Sequence, residues 1–292
     1  MSDVIRMHAV GGPAVLVAEQ ETLGSPAPGQ VKIRQEAIGV NFLDTMFRSG
    51  TFGVSLPFVN GVEGAGEIIE VGSDVGGFQP GDRVAYFFAP GLRSRADHGH
   101  RAAGDAAAGC PDATGRGAVD QGVTAWLAVR RLHEVKAGDV VLVQGATGGV
   151  GSLVARWAKK LGAIVIAVGS TTKLERLPAD IGHRLSSETP DLGSEIRALA
   201  PDGADVVYDF VGRATADATL KAVRDGGAIF TIGAASGPAA FDERLVTDRR
   251  IRVEHASAAS AVKGAFWKQP PARFSRAGET VLSERSSWIA MP

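Results

Sequence analysis

A chain of 292 residues with 45% apolar content and a formal net charge of −1 can build two globular cores, and gives no electrostatic reason to expect nucleic acid or an anionic membrane as partner. Its single cysteine, Cys110, excludes an internal disulfide and a multi-cysteine zinc site and fits a reducing compartment. No apolar run reaches the roughly 18 residues of a membrane span, and the start Met1-Ser2-Asp3-Val4-Ile5-Arg6 has no signal-peptide apolar core, so a cytoplasmic location is expected.

The first ninety residues read as short strands, at 4–10, 31–40, 66–71 and 83–88. Turn sequences such as Gly11-Gly12-Pro13, Pro26-Ala27-Pro28-Gly29 and Gln79-Pro80-Gly81-Asp82 separate them. Close-set strands with Gly/Pro turns predict an antiparallel, barrel-like domain. The pattern then breaks. Residues 91–119 hold fourteen Ala or Gly, with Leu92 and Val119 the only large aliphatics, and lack strand or helix periodicity. Two readings stand for this stretch: a surface segment, or translation of a GC-rich gene in a shifted frame, which the gene sequence would settle. The tail 268–292 is similarly aperiodic.

From 120 to 256 strand and helix alternate. Val140-Val141-Leu142-Val143 suits a parallel strand covered on both faces. A small-residue turn follows, and then a helix in which Leu153, Val154, Trp157 and Leu161 fall at helical spacing. Ala146, Thr147, Gly148, Gly149, Val150 and Gly151 make a dinucleotide fingerprint with Ala146 in the place of the first glycine. Gly148 lets the backbone approach a pyrophosphate, Gly151 lets the helix lie against the strand, and free N–H groups at the helix start meet the phosphates. The alternative is a tight strand-to-helix turn with no ligand.

The second strand, 163–168, ends in Gly169-Ser170-Thr171-Thr172-Lys173 with no Asp or Glu to hold a ribose 2′-OH. Ser170, Thr171 and Lys173 suit a 2′-phosphate instead, so NADP(H) is expected over NAD(H); Ser170 or Thr171 could equally cap the next helix. An amphipathic segment at 192–200, a strand at 205–209, a helix at 214–224 and a strand at 228–232 complete a doubly wound parallel sheet.

Four blocks carry a resemblance. They are Ala37-Ile38-Gly39-Val40-Asn41-Phe42-Leu43-Asp44, Gly61-Val62-Glu63-Gly64-Ala65-Gly66, Gln121-Gly122-Val123-Thr124-Ala125 and the turn 144–151, supported by Val207-Tyr208-Asp209-Phe210-Val211-Gly212. In these the chain resembles the zinc-independent medium-chain dehydrogenases/reductases of the quinone oxidoreductase (zeta-crystallin-like) group. The resemblance implies an α/β fold: a GroES-like β-barrel catalytic domain over 1–119, here incomplete, and a Rossmann domain with a doubly wound parallel sheet over 120–256. It also implies a truncated or divergent return to the catalytic domain over 257–292, relatives being longer by about thirty residues there.

The implied activity is NADPH-dependent hydride transfer to a quinone or an α,β-unsaturated carbonyl; the alternative is a catalytically impaired nucleotide-binding remnant of the family. The expected partners are a small-molecule substrate and a second copy of the chain, paired through an edge strand near 250–254, with neither nucleic acid nor membrane. By the same resemblance Asn41 and Asp44 lie beside the nicotinamide, Asn41 as its amide contact or donor and Asp44 orienting it or relaying a proton; the alternative has Asn41 capping a short helix at 42–48. Gln121 and Thr124 touch the cofactor, and Gly233, Ser236 and Gly237 belong to the loop closing over the nicotinamide. Phe52 and Ser187 replace tyrosines common in relatives. Val62-Glu63 stands where zinc-dependent relatives carry His-Glu, no cysteine precedes Cys110, and His98, His100 and Cys110 in an aperiodic run make a poor ligand set, so no metal is expected. Glu63 is expected to be held by backbone N–H groups in a Gly-rich turn; the alternative is a catalytic role.

Overall fold

The computed structural model describes residues 2–87 and 118–257, in two units: residues 2–87 with 118–120, and residues 121–257. His98, His100, Cys110 and the tail 268–292 lie outside the described residues; of the aperiodic stretch 91–119, only the last two positions are described, and they begin a helix.

The first unit runs β1 (Ser2–Met7), β2 (Leu16–Glu21), β3 (Val31–Gly39), α1 (Phe42–Ser49), β4 (Phe58–Val59), β5 (Glu63–Val71) and β6 (Arg83–Phe87). Its strands make two antiparallel three-stranded sheets, β2-β1-β4 and β3-β5-β6, with no closed barrel among the described residues. Along β3, Ile33, Gln35 and Ala37 are buried while Arg34, Glu36 and Ile38 are exposed, the two-residue period of a strand with one covered face. Ile33, Ile68, Val84 and Tyr86 fill that core. The block 61–66, expected as a Gly-rich turn, instead enters β5. Its glycines make room across the strands: a Cβ at Gly64 would lie 2.5 Å from the Tyr86 hydroxyl and 2.6 Å from Gln35 Oε1.

The second unit begins on α2 (Ala118–Leu127), whose first three residues belong to the other unit, and continues in one turn of π-helix at Ala128–Leu132. Then come β7 (Val140–Gln144), α3 (Gly149–Lys160), β8 (Ile164–Gly169), β9 (His183–Ser186), α4 (Leu192–Leu199), β10 (Ala204–Asp209), α5 (Ala216–Ala222), β11 (Val223–Thr231), α6 (Glu243–Asp248) and β12 (Arg252–His255). The sheet order is β12-β11-β10-β7-β8-β9, parallel throughout. Successive residues feed opposite faces: Val141 and Val143 join the core that holds Val154 and Ala158 of α3, while Leu142 joins the one that holds Ile196 of α4 and Leu220 of α5. Each large side chain buried this way contributes about 1.5–3 kcal/mol. The helix expected over 214–224 is shorter, because Val223 already pairs with Ala204 as the first residue of β11.

Candidate functional site

In the second unit the chain leaves β7 for β8 on one side and returns through β10 on the other. The carboxyl ends of β7 and β10 are therefore the topological switch point, where open α/β sheets bind ligands. Gly145 turns the chain there at φ 81°. Its N–H and that of Ala146 both donate to the Val168 carbonyl, at 3.0 and 2.8 Å, which draws the turn toward the tip of β8. Ala146 is wholly buried, and Thr147 packs on Gly169 so closely that no Cβ fits there.

Gly148 is the residue before α3, in extended conformation, and a Cβ built on it meets nothing nearer than the Gly145 carbonyl at 3.3 Å. Gly151 lies flat on the Gly145 backbone with no room for a side chain, and a Cβ on Gly149 would strike the Gln121 amide at 2.5 Å. Helix geometry leaves the N–H groups of Gly149, Val150 and Gly151 without carbonyl partners in the helix. The first turn of α3 carries no acidic residue, so its positive end is not neutralised locally. This is an anion cradle open above Gly148. Gln121 and Thr124 sit on α2, Gln121 over Gly149 and Thr124 buried.

Past β8, Ser170 precedes a 3-10 turn spanning Thr171–Arg176 without capping it through its side chain, and its hydroxyl is buried with no partner among the described residues. Lys173 is exposed. Thr171 holds a residue the sequence reading missed: its hydroxyl donates to Glu188 Oε2 at 2.6 Å. The tip of β8 lacks its own acid, but β9 brings one beside it, and only the pairing Gly169↔Ser186 could have revealed this.

On the loop after β11, the Gly233 N–H donates to the Asp209 carbonyl at 3.1 Å, and a Cβ on Gly233 would lie 2.5 Å from the Phe210 carbonyl. Ser236 ties this loop to the one after β10: its hydroxyl donates to the Val211 carbonyl at 2.8 Å and accepts the Ala214 N–H at 2.9 Å. Gly237 turns at φ 96° in the same loop. Asp209, fully buried, accepts from the Val211 and Gly212 N–H groups and the Thr215 hydroxyl, while burial holds its carboxyl above the usual range.

The first unit gathers Asn41, Asp44 and Glu63. Asn41 occupies the position before α1. Asp44, three residues on, reaches back to accept the Asn41 N–H at 2.7 Å. The Asn41 amide donates through Nδ2 to Glu63 Oε2 at 2.8 Å. The other Glu63 oxygen accepts the Asp120 N–H at 3.3 Å, so Glu63 is engaged from a strand and not by the backbone of a Gly-rich turn. All three residues are at least nine-tenths buried. Asp44 Oδ1 is buried without a partner among the described residues. Burial, aided by the negative charge of Glu63 and opposed by the Asn41 N–H, pushes the Asp44 carboxyl up to about 6. Phe52 is half exposed and packs its ring against Phe47.

Among the described residues no group of three or more His, Cys, Asp or Glu could share a metal ion, and no helix is long and apolar enough to cross a membrane.

Residues 27–137 match the family model of the alcohol dehydrogenase GroES-like domain, and residues 149–271 that of zinc-binding dehydrogenase. The chain is 36% identical over 259 residues to a 2-haloacrylate reductase of a Burkholderia species, spanning 84% of this chain and 77% of that protein. It is 36% identical over 250 residues to a quinone oxidoreductase of Pseudomonas aeruginosa, spanning 82% and 75%. The crystal structure of Escherichia coli quinone oxidoreductase complexed with NADPH superposes with a TM-score of 0.82 at 29% identity, over 89% of this chain and 82% of that one.

Proposed function

The chain belongs to the quinone oxidoreductase family of medium-chain dehydrogenases/reductases, and we propose that it is an NADPH-dependent reductase acting on a quinone or an α,β-unsaturated carbonyl. The observation that carries this reading is the turn between β7 and α3, open above Gly148 and lined by helix N–H groups that have no carbonyl partner within the helix. Both features fit a dinucleotide diphosphate, since a side chain at position 148 would fill the space the phosphates need.

NADPH, when bound, supplies a hydride from its nicotinamide ring. The start of α3 binds the diphosphate, Lys173 meets the 2′-phosphate, and Gln121 and Thr124 flank the cofactor. Gly233 and Ser236 shape the loop on the nicotinamide side, where the Ser236 hydrogen bonds keep it in register with its neighbour. Asn41 contacts the nicotinamide amide, with Glu63 fixing the orientation of its side chain. Asp44, its carboxyl raised to about 6, orients Asn41 or relays a proton beside them. In this assignment residues 1–119 form the catalytic domain, 120–256 the NADP-binding domain, and 257–292 return to the catalytic domain.

A conjugated acceptor is supported by two named relatives, one a quinone oxidoreductase and the other a reductase of a haloacrylate, an acid with an activated C=C bond. Zinc-free catalysis is supported by Val62 in place of a ligating histidine and by Glu63, whose two oxygens already take hydrogen bonds from Asn41 and Asp120. Negative charge developing on the reduced carbonyl then requires hydrogen-bond donors in place of a metal.

The test is NADPH oxidation followed by absorbance with 1,4-benzoquinone and with an enone as acceptors, with and without a chelator. Acceptor-dependent oxidation unaffected by the chelator is expected. NADPH binding without oxidation by either acceptor would refute the reductase assignment, and inhibition by the chelator would refute zinc independence.

A further inference from the structure

At the tip of β8 the hydroxyls of Thr171 and Ser186 are already spoken for. The parallel pairing Gly169↔Ser186 sets the end of β9 beside the end of β8, and the Ser187 N–H extends the pairing to the Gly169 carbonyl at 2.8 Å. A carboxylate has no proton to give, so the only hydroxyl proton of Thr171 goes to Glu188 Oε2, 2.6 Å away. The 2.6 Å contact between Thr171 and Ser186 must then be donated by Ser186, whose oxygen in turn accepts the Glu188 N–H at 3.0 Å. The chain of donors is thus directed from the Glu188 backbone through two hydroxyls to the Glu188 side chain. Neither hydroxyl retains a proton for a phosphate, and among the described residues Glu188 Oε1 takes no hydrogen bond.

Resting on the reading of this unit as a dinucleotide site, we propose that Glu188 is a specificity residue for the adenosine ribose: a carboxylate delivered by β9 to the place β8 leaves without one. It accepts the 2′-OH of NADH, so the protein uses NADH as well as NADPH. In Rossmann sheets an acid at the end of the second strand accepts the ribose 2′-OH and repels a 2′-phosphate. Glu188 reaches that spot from the neighbouring strand, anchored by Thr171. Lys173, exposed on the same loop, pulls the other way by attracting the 2′-phosphate. The balance of these two charges sets the cofactor ratio.

Glu188 is exposed, so its substitution leaves the core intact. NADPH and NADH are titrated separately against wild type, Glu188→Gln and Lys173→Ala, with dissociation constants read from nucleotide fluorescence. The wild type is expected to bind both. Glu188→Gln should weaken NADH and tighten NADPH, moving their affinity ratio by about tenfold or more, since hydrogen bonds to a charged group are worth that much. Lys173→Ala should move the ratio in the opposite direction. An unchanged ratio in Glu188→Gln, or a wild type that binds NADPH and ignores NADH, overturns the role of Glu188 while leaving the NADPH site standing. A wild type that binds neither nucleotide overturns that site and this proposal together.

Discussion

At position 148 backbone conformation is no obstacle to a side chain, and the Gly145 carbonyl is the one group an added Cβ would crowd. The backbone there is extended at φ −82° and ψ 173°, a region a β-branched residue favours, and an added Cβ meets the protein no closer than 3.3 Å. Gly148→Val, its fold checked by circular dichroism, should lose NADPH affinity by a hundredfold or more, by calorimetry. Retained affinity would show that no diphosphate approaches this backbone. Asp44 offers a second test, through pH. Its carboxyl is raised from 3.8 to about 6 in the folded protein, so between those values the folded state binds more protons than the unfolded one, and stability falls as pH rises. The penalty is absent below pH 3.8 and complete above about 6, on the order of 2–3 kcal/mol. Asp44→Asn keeps an acceptor for the Asn41 N–H and removes the buried charge. It should raise denaturant stability at pH 7.5 by that order and have no effect near pH 4; an equal effect at both would contradict a buried, raised carboxyl.

Single residues were legible in the sequence where their chemistry is local. The glycines of the turn 145–151 announce close backbone approach whatever surrounds them. Glu63 and Glu188 were misjudged or missed because their roles depend on partners distant in the chain, 22 residues away for Asn41 and 17 for Thr171. No local pattern encodes such pairing.

Among the elements, β7 shows why the central sheet was readable. An unbroken apolar run has no polar face to spare, and Val141, Leu142 and Val143 are each fully buried against cores on both sides. Leu142→Ala should cost about 2–5 kcal/mol in urea denaturation with little change in the nucleotide site itself; a loss under about 1 kcal/mol would contradict a sheet packed on both faces. The strands that escaped notice have the opposite character. β2 has only Leu16, Val17 and Ala18 as apolar residues and is fastened to β1 by Arg6 bonding Glu19 and Glu21, at 2.8 and 2.9 Å. β4 is two residues long, and β9 reads His183-Arg184-Leu185-Ser186, with one large apolar side chain. Such strands are specified by their neighbours in the sheet, which their own sequence does not contain. The overlong helix at 214–224 erred for the same reason: pairing with β10 claims Val223 for a strand.

Taken whole, the chain carries two antiparallel sheets in its first unit and a six-stranded parallel sheet in its second, the latter in the order expected of a dinucleotide-binding fold. The alternation of strands and helices made a doubly wound parallel sheet legible, but its strand order, with β9 at one edge, was not. If the first-turn N–H groups of α3 and the open face over Gly148 exist to hold a diphosphate, occupancy must also stabilise the fold as ligand concentration exceeds the dissociation constant. Excess NADPH should therefore raise the thermal midpoint of the wild type and leave that of Gly148→Val where it was.

The most direct measurement is isothermal calorimetry of the full-length protein, shown folded by circular dichroism, titrated with NADPH. We expect saturable binding with one NADPH per chain. A folded sample that takes up no NADPH would mean that the turn between β7 and α3 is a structural corner only, and that the reductase assignment fails with it.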